Sequence, residues 1–148
     1  MPIDLKRAAK EDISSLIDVE KSIGVTPLYS ALLTYEEWEE ELKNGIVYFI
    51  VYENTIVGSI SYQKKENDHA YISGLVVDPL FQGRGIARAA LAKLLEMLED
   101  FKRIDLVTHP NNKVALSLYN SFGFTLESRK ENYFGDGEPR VVLVLTKK

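Results

Sequence analysis

The chain reads as one mixed α/β (α+β) domain, with a mostly antiparallel sheet and the element order βααβββαβαββ. Three observations predict this. Several short segments alternate apolar and polar residues with the period of two of a half-buried strand. Between them lie stretches with apolar residues at helical spacing, and a glycine-rich turn opens the longest of these. The length of 148 residues suits a single domain, residues 1–148, able to close one core without staples.

The first strand is Ile3 to Arg7. A helix from Glu11 to Ser22 follows, with Ile13, Leu16, Ile17 and Glu20 at helical spacing. A second helix, Tyr35 to Leu42, begins at Thr34, whose hydroxyl makes a capping box with Glu37. Ile46 to Tyr52, Ile56 to Gln63 and His69 to Val77 read as strands. The polar turns Glu53-Asn54-Thr55 and Lys64 to Asp68 join them into an antiparallel meander. From Arg84 to about Phe101 a third helix carries the stripe Ile86, Ala90, Leu94 and Met97, widened by Leu91, Leu95 and Leu98. Ile104 to Thr108 is a short apolar strand. Asn111 or Asn112 caps a helix that runs to Ser121 and is ended by Gly123. Phe124 to Glu131 and Arg140 to Leu145 close the chain as two strands around Gly135-Asp136-Gly137.

Composition removes several function classes. Hydrophobic residues make up 45% and charged residues 27%, the balance of an ordinary globular protein. Without cysteine there is no disulfide framework, thiolate zinc site or cysteine nucleophile. The two histidines, His69 and His109, are 40 positions apart, so no metal cluster is expected. The net charge is −4 and no stretch concentrates Lys and Arg, which argues against a nucleic-acid partner. No apolar run approaches the roughly 20 residues that cross a bilayer. The start Met1-Pro2-Ile3-Asp4-Leu5-Lys6 lacks the apolar stretch of a signal peptide, so the expected compartment is the cytoplasm.

The sharpest feature is Val77-Asp78-Pro79-Leu80-Phe81-Gln82-Gly83-Arg84-Gly85-Ile86-Ala87-Arg88. A strand stops at Asp78-Pro79 and a glycine-rich turn opens a long helix, whose first amides are unpaired and carry the positive end of the macrodipole. Gly83 and Gly85 hold no side chain between those amides and a pyrophosphate, and Arg84 and Arg88 add positive charge. The plainer alternative is a strand-to-helix turn in which the glycines only ease the bend. A Walker A loop would need Gly-Lys-Ser or Gly-Lys-Thr, which is absent. The Rossmann fingerprint would need a small residue at Arg88 and a βαβ start near the N-terminus.

Gln82-Gly83-Arg84-Gly85-Ile86-Ala87 resembles the acetyl-CoA signature of the GNAT superfamily of N-acetyltransferases, Arg/Gln-x-x-Gly-x-Gly/Ala. The resemblance implies acetyl-CoA as co-substrate, with the turn amides on its pyrophosphate. It also implies that the strand before the turn splays from the next one. The backbone of Leu75 and Val77 would then pair with the pantetheine arm, the Leu75 amide near the thioester carbonyl. A second stretch, Asn112-Lys113-Val114-Ala115-Leu116-Ser117-Leu118-Tyr119 followed by Gly123-Phe124, is similar to the family's Asn-x-x-Ala-x-x-Leu-Tyr and Gly-Phe. There the Asn bonds the cofactor arm and the Tyr hydroxyl lies near the sulfur. By itself Tyr119 reads as a core tyrosine on an amphipathic helix; the two motifs together assign it as general acid for the departing thiolate.

The base is less visible. The family position twelve residues before the tyrosine is Val107, which takes no proton, and His109 stands two residues on, either on that strand or in a surface turn. Tyr71 resembles a tyrosine that positions a water for deprotonation in N-terminal acetyltransferases, and it equally suits packing on the sheet. Arg129-Lys130-Glu131-Asn132-Tyr133-Phe134-Gly135-Asp136-Gly137-Glu138 is similar to the peptide-flanking loop of those enzymes, although Pro139-Arg140 departs from their pattern. The resemblance therefore places Tyr133 and Phe134 beside the acceptor, with Tyr29 as the opposite wall and Ser73 on the strand between. A purely structural aromatic hairpin is the alternative. The run Glu36, Glu37, Glu39, Glu40 and Glu41 reads mainly as a solvated helix surface. The expected activity is acetyl transfer to a protein or peptide N-terminal α-amine. The alternatives are a small amine (amino acid, polyamine or aminoglycoside) and a non-catalytic acyl-CoA sensor. The state is monomer or homodimer.

Overall fold

A computed structural model describes residues 2–24 and 26–146. The strands β1 (Ile3–Arg7), β2 (Ile46–Tyr52), β3 (Thr55–Lys65), β4 (His69–Val77), β5 (Arg103–Thr108), β6 (Thr125–Lys130) and β7 (Arg140–Thr146) form one sheet. Their order is β1-β2-β3-β4-β5-β7-β6. Only β4 and β5 run parallel; the other pairs are antiparallel. The helices are α1 (Ile13–Lys21), α2 (Tyr35–Asn44), α3 (Ile86–Met97) and α4 (Lys113–Ser121), so the expected order βααβββαβαββ holds.

Local chemistry sets the boundaries. The β2–β3 hairpin turns on Glu53 and Asn54 alone, with φ of 50° and 62°, the left-handed pair that suits the twist of adjoining strands. Thr55 is thereby the first residue of β3 rather than a turn residue. The Asp12 carboxylate accepts from the Ala9 N–H at 2.9 Å, and Lys10–Asp12 forms a 3-10 turn, so α1 starts two residues later than its periodicity suggests. At α2 the capping box is in place: Thr34 Oγ1 accepts from the Glu37 N–H at 3.2 Å and Glu37 Oε1 accepts from the Thr34 N–H at 3.1 Å. Gly85 takes a left-handed conformation as N-cap of α3, which moves the helix start from Arg84 to Ile86. Its end falls at Met97 rather than Phe101.

Alternation divides the apolar residues between two faces. Ala8, Ile13, Leu16, Trp38, Val47 and Phe49 pack beneath α1 and α2. Ile60, Ile72, Ile86, Leu91, Leu94, Ile104 and Leu106 form the larger core under α3 and α4. Burial at about 25 cal/mol per Å² makes this second layer the main stabilising mass of the domain.

One irregularity shapes the centre of the sheet. Ser61 pairs with Gly74 but Tyr62 pairs with Ile72, so Ser73 is an extra residue, a bulge in β4. A bulge bends its strand and flips the pleat beyond it. Ala70 and Ile72 face the larger core before the bulge, and Leu75 and Val77 face it afterwards. The β4–β5 pairing ends at Ile72 and Leu106. Beyond that point β5 continues beside β7 to Thr108 while β4 stays with β3 to Val77. The two parallel strands part, and a gap opens through the sheet.

Candidate active site

The gap leaves β4 main-chain groups without a neighbouring strand. The Asp78 N–H donates to the Val57 carbonyl on β3 at 2.7 Å. Successive amides along a strand alternate sides, so the N–H groups of Val77 and Leu75 point away from β3, towards the gap. The Val77 carbonyl points the same way and accepts from Gln82 Nε2 at 3.0 Å. Gln82 thus ties the glycine turn to the end of β4.

On the α3/α4 side the gap opens into a cleft of about 720 Å³. Leu75, Val77, Gln82, Gly83, Gly85, Ile86, Ala87, Arg88, Asn112 and Tyr119 all line it. Gly83 and Gly85 have φ of 80° and 81°, a region costly to any residue with a Cβ. The first bond within α3 runs from the Ala89 N–H to the Gly85 carbonyl. The amides of Ile86, Ala87 and Arg88 therefore have no partner inside the helix. Arg84 is the predicted residue that does not line the cleft; its guanidinium stacks on Phe81, 5.1 Å from the ring centre. Arg88 lines it, yet its Nη1 donates to Ser121 Oγ at 3.0 Å. Lys113, which sequence reasoning passed over, adds a cation at the opposite wall. Asn112 is the N-cap of α4, its Oδ1 accepting from the Ala115 N–H at 3.2 Å, which leaves the amide Nδ2 for a ligand. These donors suit an elongated phosphorylated ligand with a polar arm.

Tyr119 stands at the inner end of the cleft, 7% exposed, its ring edge-on to Phe124 at 5.7 Å. Burial pushes its phenol well above the ordinary value, so it stays protonated across the physiological range.

A second cavity, of about 380 Å³, lies on the α1/α2 side. Tyr29, Tyr71, Ser73 and Phe134 line it together with Val107 and Gly74. Gly74 is the neighbour of Leu75 in the first cleft, so the two spaces abut across the gap. Burial pushes the Tyr71 phenol up to about 12, with the charges of Tyr133, Glu41 and Asp105 adding to the effect. Tyr29 is also raised well above its ordinary value, first by burial and then by Glu20, whose Oε1 accepts its hydroxyl at 3.2 Å.

Residues 11–124 match the model of the acetyltransferase (GNAT) family. The chain belongs to that family. Solved structures of the same fold hold CoA or acetyl-CoA, and the first cleft has donors that suit such a ligand. The chain is 24% identical over 153 residues to the ribosomal protein bS18-alanine N-acetyltransferase of Haemophilus ducreyi, with 95% of this chain and 98% of that protein covered. It is 27% identical over 105 residues to an L-amino acid N-acetyltransferase of Escherichia coli; that alignment takes in 65% of this chain and only 65% of the relative's length. The solved ribosomal-protein-S18-alanine N-acetyltransferase of Escherichia coli superposes with a TM-score of 0.82 at 18% identity, over 98% of this chain and 94% of that one. Among the described residues no helix is long and apolar enough to cross a membrane.

Within this GNAT frame three sequence expectations need correction. Tyr133 does not join the acceptor cavity. Its ring packs edge-on against Phe134 at 4.8 Å, and it lines a neighbouring groove with His69, Arg103 and Asp105. His109 is neither a surface residue nor a free base. It is 1% exposed, Nδ1 accepts from the Asn111 N–H at 3.0 Å and Nε2 donates to Glu138 Oε1 at 2.8 Å. Glu41 is not part of the solvated acidic face. Its Oε2 accepts from Ser73 Oγ at 2.6 Å and its Oε1 from Gln63 Nε2 at 3.2 Å, which turns the carboxylate onto the sheet.

Two further cavity residues escaped the sequence reading. Arg140, 2% exposed, donates to Asp136 Oδ2 and to the Pro139 carbonyl, each at 3.0 Å. Glu20 is 1% exposed, and burial raises its carboxyl to about 7 despite the hydrogen bonds from Leu32 and Tyr29.

Proposed function

We propose that the protein acetylates the N-terminal α-amine of a protein or peptide. The reading rests on the two abutting spaces: a donor cleft with main-chain hydrogen-bonding groups and an acceptor cavity walled by Tyr29, Tyr71 and Phe134. The thioester supplies an already activated acetyl group. The turn amides, with Arg88 and Lys113 nearby, hold the pyrophosphate. The Leu75 N–H stabilises the oxyanion that forms as the amine attacks. Tyr119 donates a hydrogen bond to the leaving sulfur while the C–N bond forms and the C–S bond breaks. The proton lost by nitrogen balances the one gained by sulfur.

Acceptor choice follows from proton availability. An α-amine with pKa about 7.7–8 is roughly a tenth neutral at pH 7, whereas a lysine near 10.4 is neutral about four times in ten thousand. Val107 takes no proton, both His109 nitrogens are engaged and Tyr71 is held protonated, which suits the amine that is easier to deprotonate. The charge pattern favours a peptide over a free amino acid. The cavity's guanidinium, Arg140, is already paired with Asp136, and the remaining charged groups are the carboxylates Glu20, Glu37 and Glu41. A free α-carboxylate would meet repulsion there. The same carboxylates support a second reading, a small cationic amine.

The test follows CoA release with a free-α-amine peptide, the same peptide Nα-blocked but carrying lysine, a polyamine and free amino acids, with products identified by mass. Transfer to the free α-amine alone is the expected result. Transfer only to the polyamine replaces this reading with the second. Tight acetyl-CoA binding with no transfer would make the protein a sensor.

A further inference from the structure

Glu20 is buried and ionisable, and the chemistry above does not use it. Its Oε1 accepts from the Tyr29 hydroxyl at 3.2 Å and from the Leu32 N–H at 3.1 Å, while Oε2 is buried and has no partner among the described residues. Pinning the segment from Tyr29 to Leu32 onto α1 requires one acceptor oxygen, which an amide would supply. An ionisable group with a bare buried oxygen is a costly way to do it. The Tyr29 hydroxyl shows what the charge could serve. A Cβ built on Gly74 would stand 3.6 Å from Tyr29 Oη, so that oxygen lies over β4 one residue before Leu75. The Tyr119 phenol is near enough to add to the rise at Tyr29. Tyr29 Oη thus stands between a buried carboxylate and the place where amine and thioester meet.

We infer that Tyr29 and Glu20 form a proton relay for the acceptor ammonium, with Glu20 as the proton's destination. The inference rests on the transferase reading above. One N–H bond of the ammonium breaks and its proton passes to Tyr29 Oη, while the Tyr29 proton moves along its hydrogen bond to Glu20 Oε1. R–NH3⁺ and a carboxylate become R–NH2 and a carboxylic acid, and no charge is left on the phenol. With burial holding Glu20 at about 7, transfer from an α-ammonium near 8 is only about tenfold uphill, against more than a thousandfold from a lysine near 10.4. The relay therefore also selects the acceptor. The other charged and titratable groups facing this space are Glu37 and Glu41 from α2, Tyr71 from β4, Tyr119 from α4 and the Asp136-paired Arg140 from β7; β3 presents only Ser59, Ser61 and Gln63.

The test compares kcat/KM of wild type, Glu20→Gln and Tyr29→Phe on the free-α-amine peptide from about pH 6 to about pH 10. Gln keeps an oxygen for Leu32 and Tyr29, so the segment stays pinned. Both variants are expected to lose about 10²-fold near pH 7 and to close within about fivefold of wild type near pH 10, where the amine arrives neutral. Acetyl-CoA affinity is expected to stay unchanged. A loss that is the same at every pH marks a structural role and overturns the relay, as does a Glu20→Gln enzyme of wild-type rate. If wild type uses only a small amine, the same pH comparison on that amine decides the relay. A wild type inert towards every amine overturns the relay and the transferase reading together; an active one with a pH-independent loss overturns the relay alone.

Discussion

Replacing Tyr119 with Phe removes one oxygen and little else. The ring stays edge-on to Phe124 at 5.7 Å, and no described residue hydrogen-bonds the hydroxyl, so the variant strands no protein donor or acceptor. Folding stability should hold, within about 1 kcal/mol. The rate should not. A positioned acid contributes about 10²–10⁴ in rate, which is about 3–5 kcal/mol of barrier. The loss should appear in kcat at saturating acetyl-CoA with the KM for acetyl-CoA little changed, because the cleft binds the remainder of that molecule through other residues. Measuring thiol release gives kcat, and a thermal melt guards against misfolding. An acetyl ester of an aryl thiol, whose leaving group is stable without help, should shrink the difference between the enzymes. A kcat within about threefold of wild type would refute the acid assignment.

Three further outcomes follow from the geometry. Gly85→Ala forces a Cβ into a φ of 81°, at about 1–2 kcal/mol, and should lower Tm by about 2–8 °C while weakening acetyl-CoA binding in calorimetry. The buried Glu20 carboxyl is raised from 4.5 to about 7, so the folded state holds a proton there that the unfolded state releases. Its stabilising contribution is complete below pH 4.5 and fades as pH rises to 7. Denaturant titrations at a series of pH values should show wild type losing more stability than Glu20→Gln across this window, by about 3 kcal/mol in total. His109→Ala leaves the Asn111 N–H and Glu138 without a partner; it should cost about 1–3 kcal/mol in urea unfolding, with kcat of the folded enzyme changed only a few-fold.

The sheet and helices were legible because each is written in local periodicity, and so was the donor half of the site, since the glycine turn and the Asn112–Tyr119 helix are contiguous motifs. The acceptor half is assembled from α1, the α1–α2 connection, α2, β3, β4, β5, the β6–β7 connection and β7, and no local pattern announces that meeting. Two signals were nonetheless present. Glu20 occupies the same helical stripe as Ile13, Leu16 and Ile17, which puts a carboxylate on the buried side of α1. Along β4 the core positions change parity, from Ala70 and Ile72 to Leu75 and Val77, which is the trace of the bulge. Glu41 was lost within an acidic run because sequence does not say which of five carboxylates turns inward. His109 could not be placed because its partner Glu138 is 29 residues away.

The bulge at Ser73 also divides the site by the kind of atom that does the recognising. On the donor side the groups freed by the parting strands are main-chain N–H and C=O, which survive almost any substitution. On the other side the lining is made of side chains such as Ser61, Gln63, Tyr71 and Phe134, and the proposed acceptor would be read by them. Drift in those side chains can change which amine is accepted while the donor groove persists, so one half of the site is free to diversify and the other is shielded from it. A library randomised at those four positions should therefore yield many variants that still hold acetyl-CoA and differ in the amine they take.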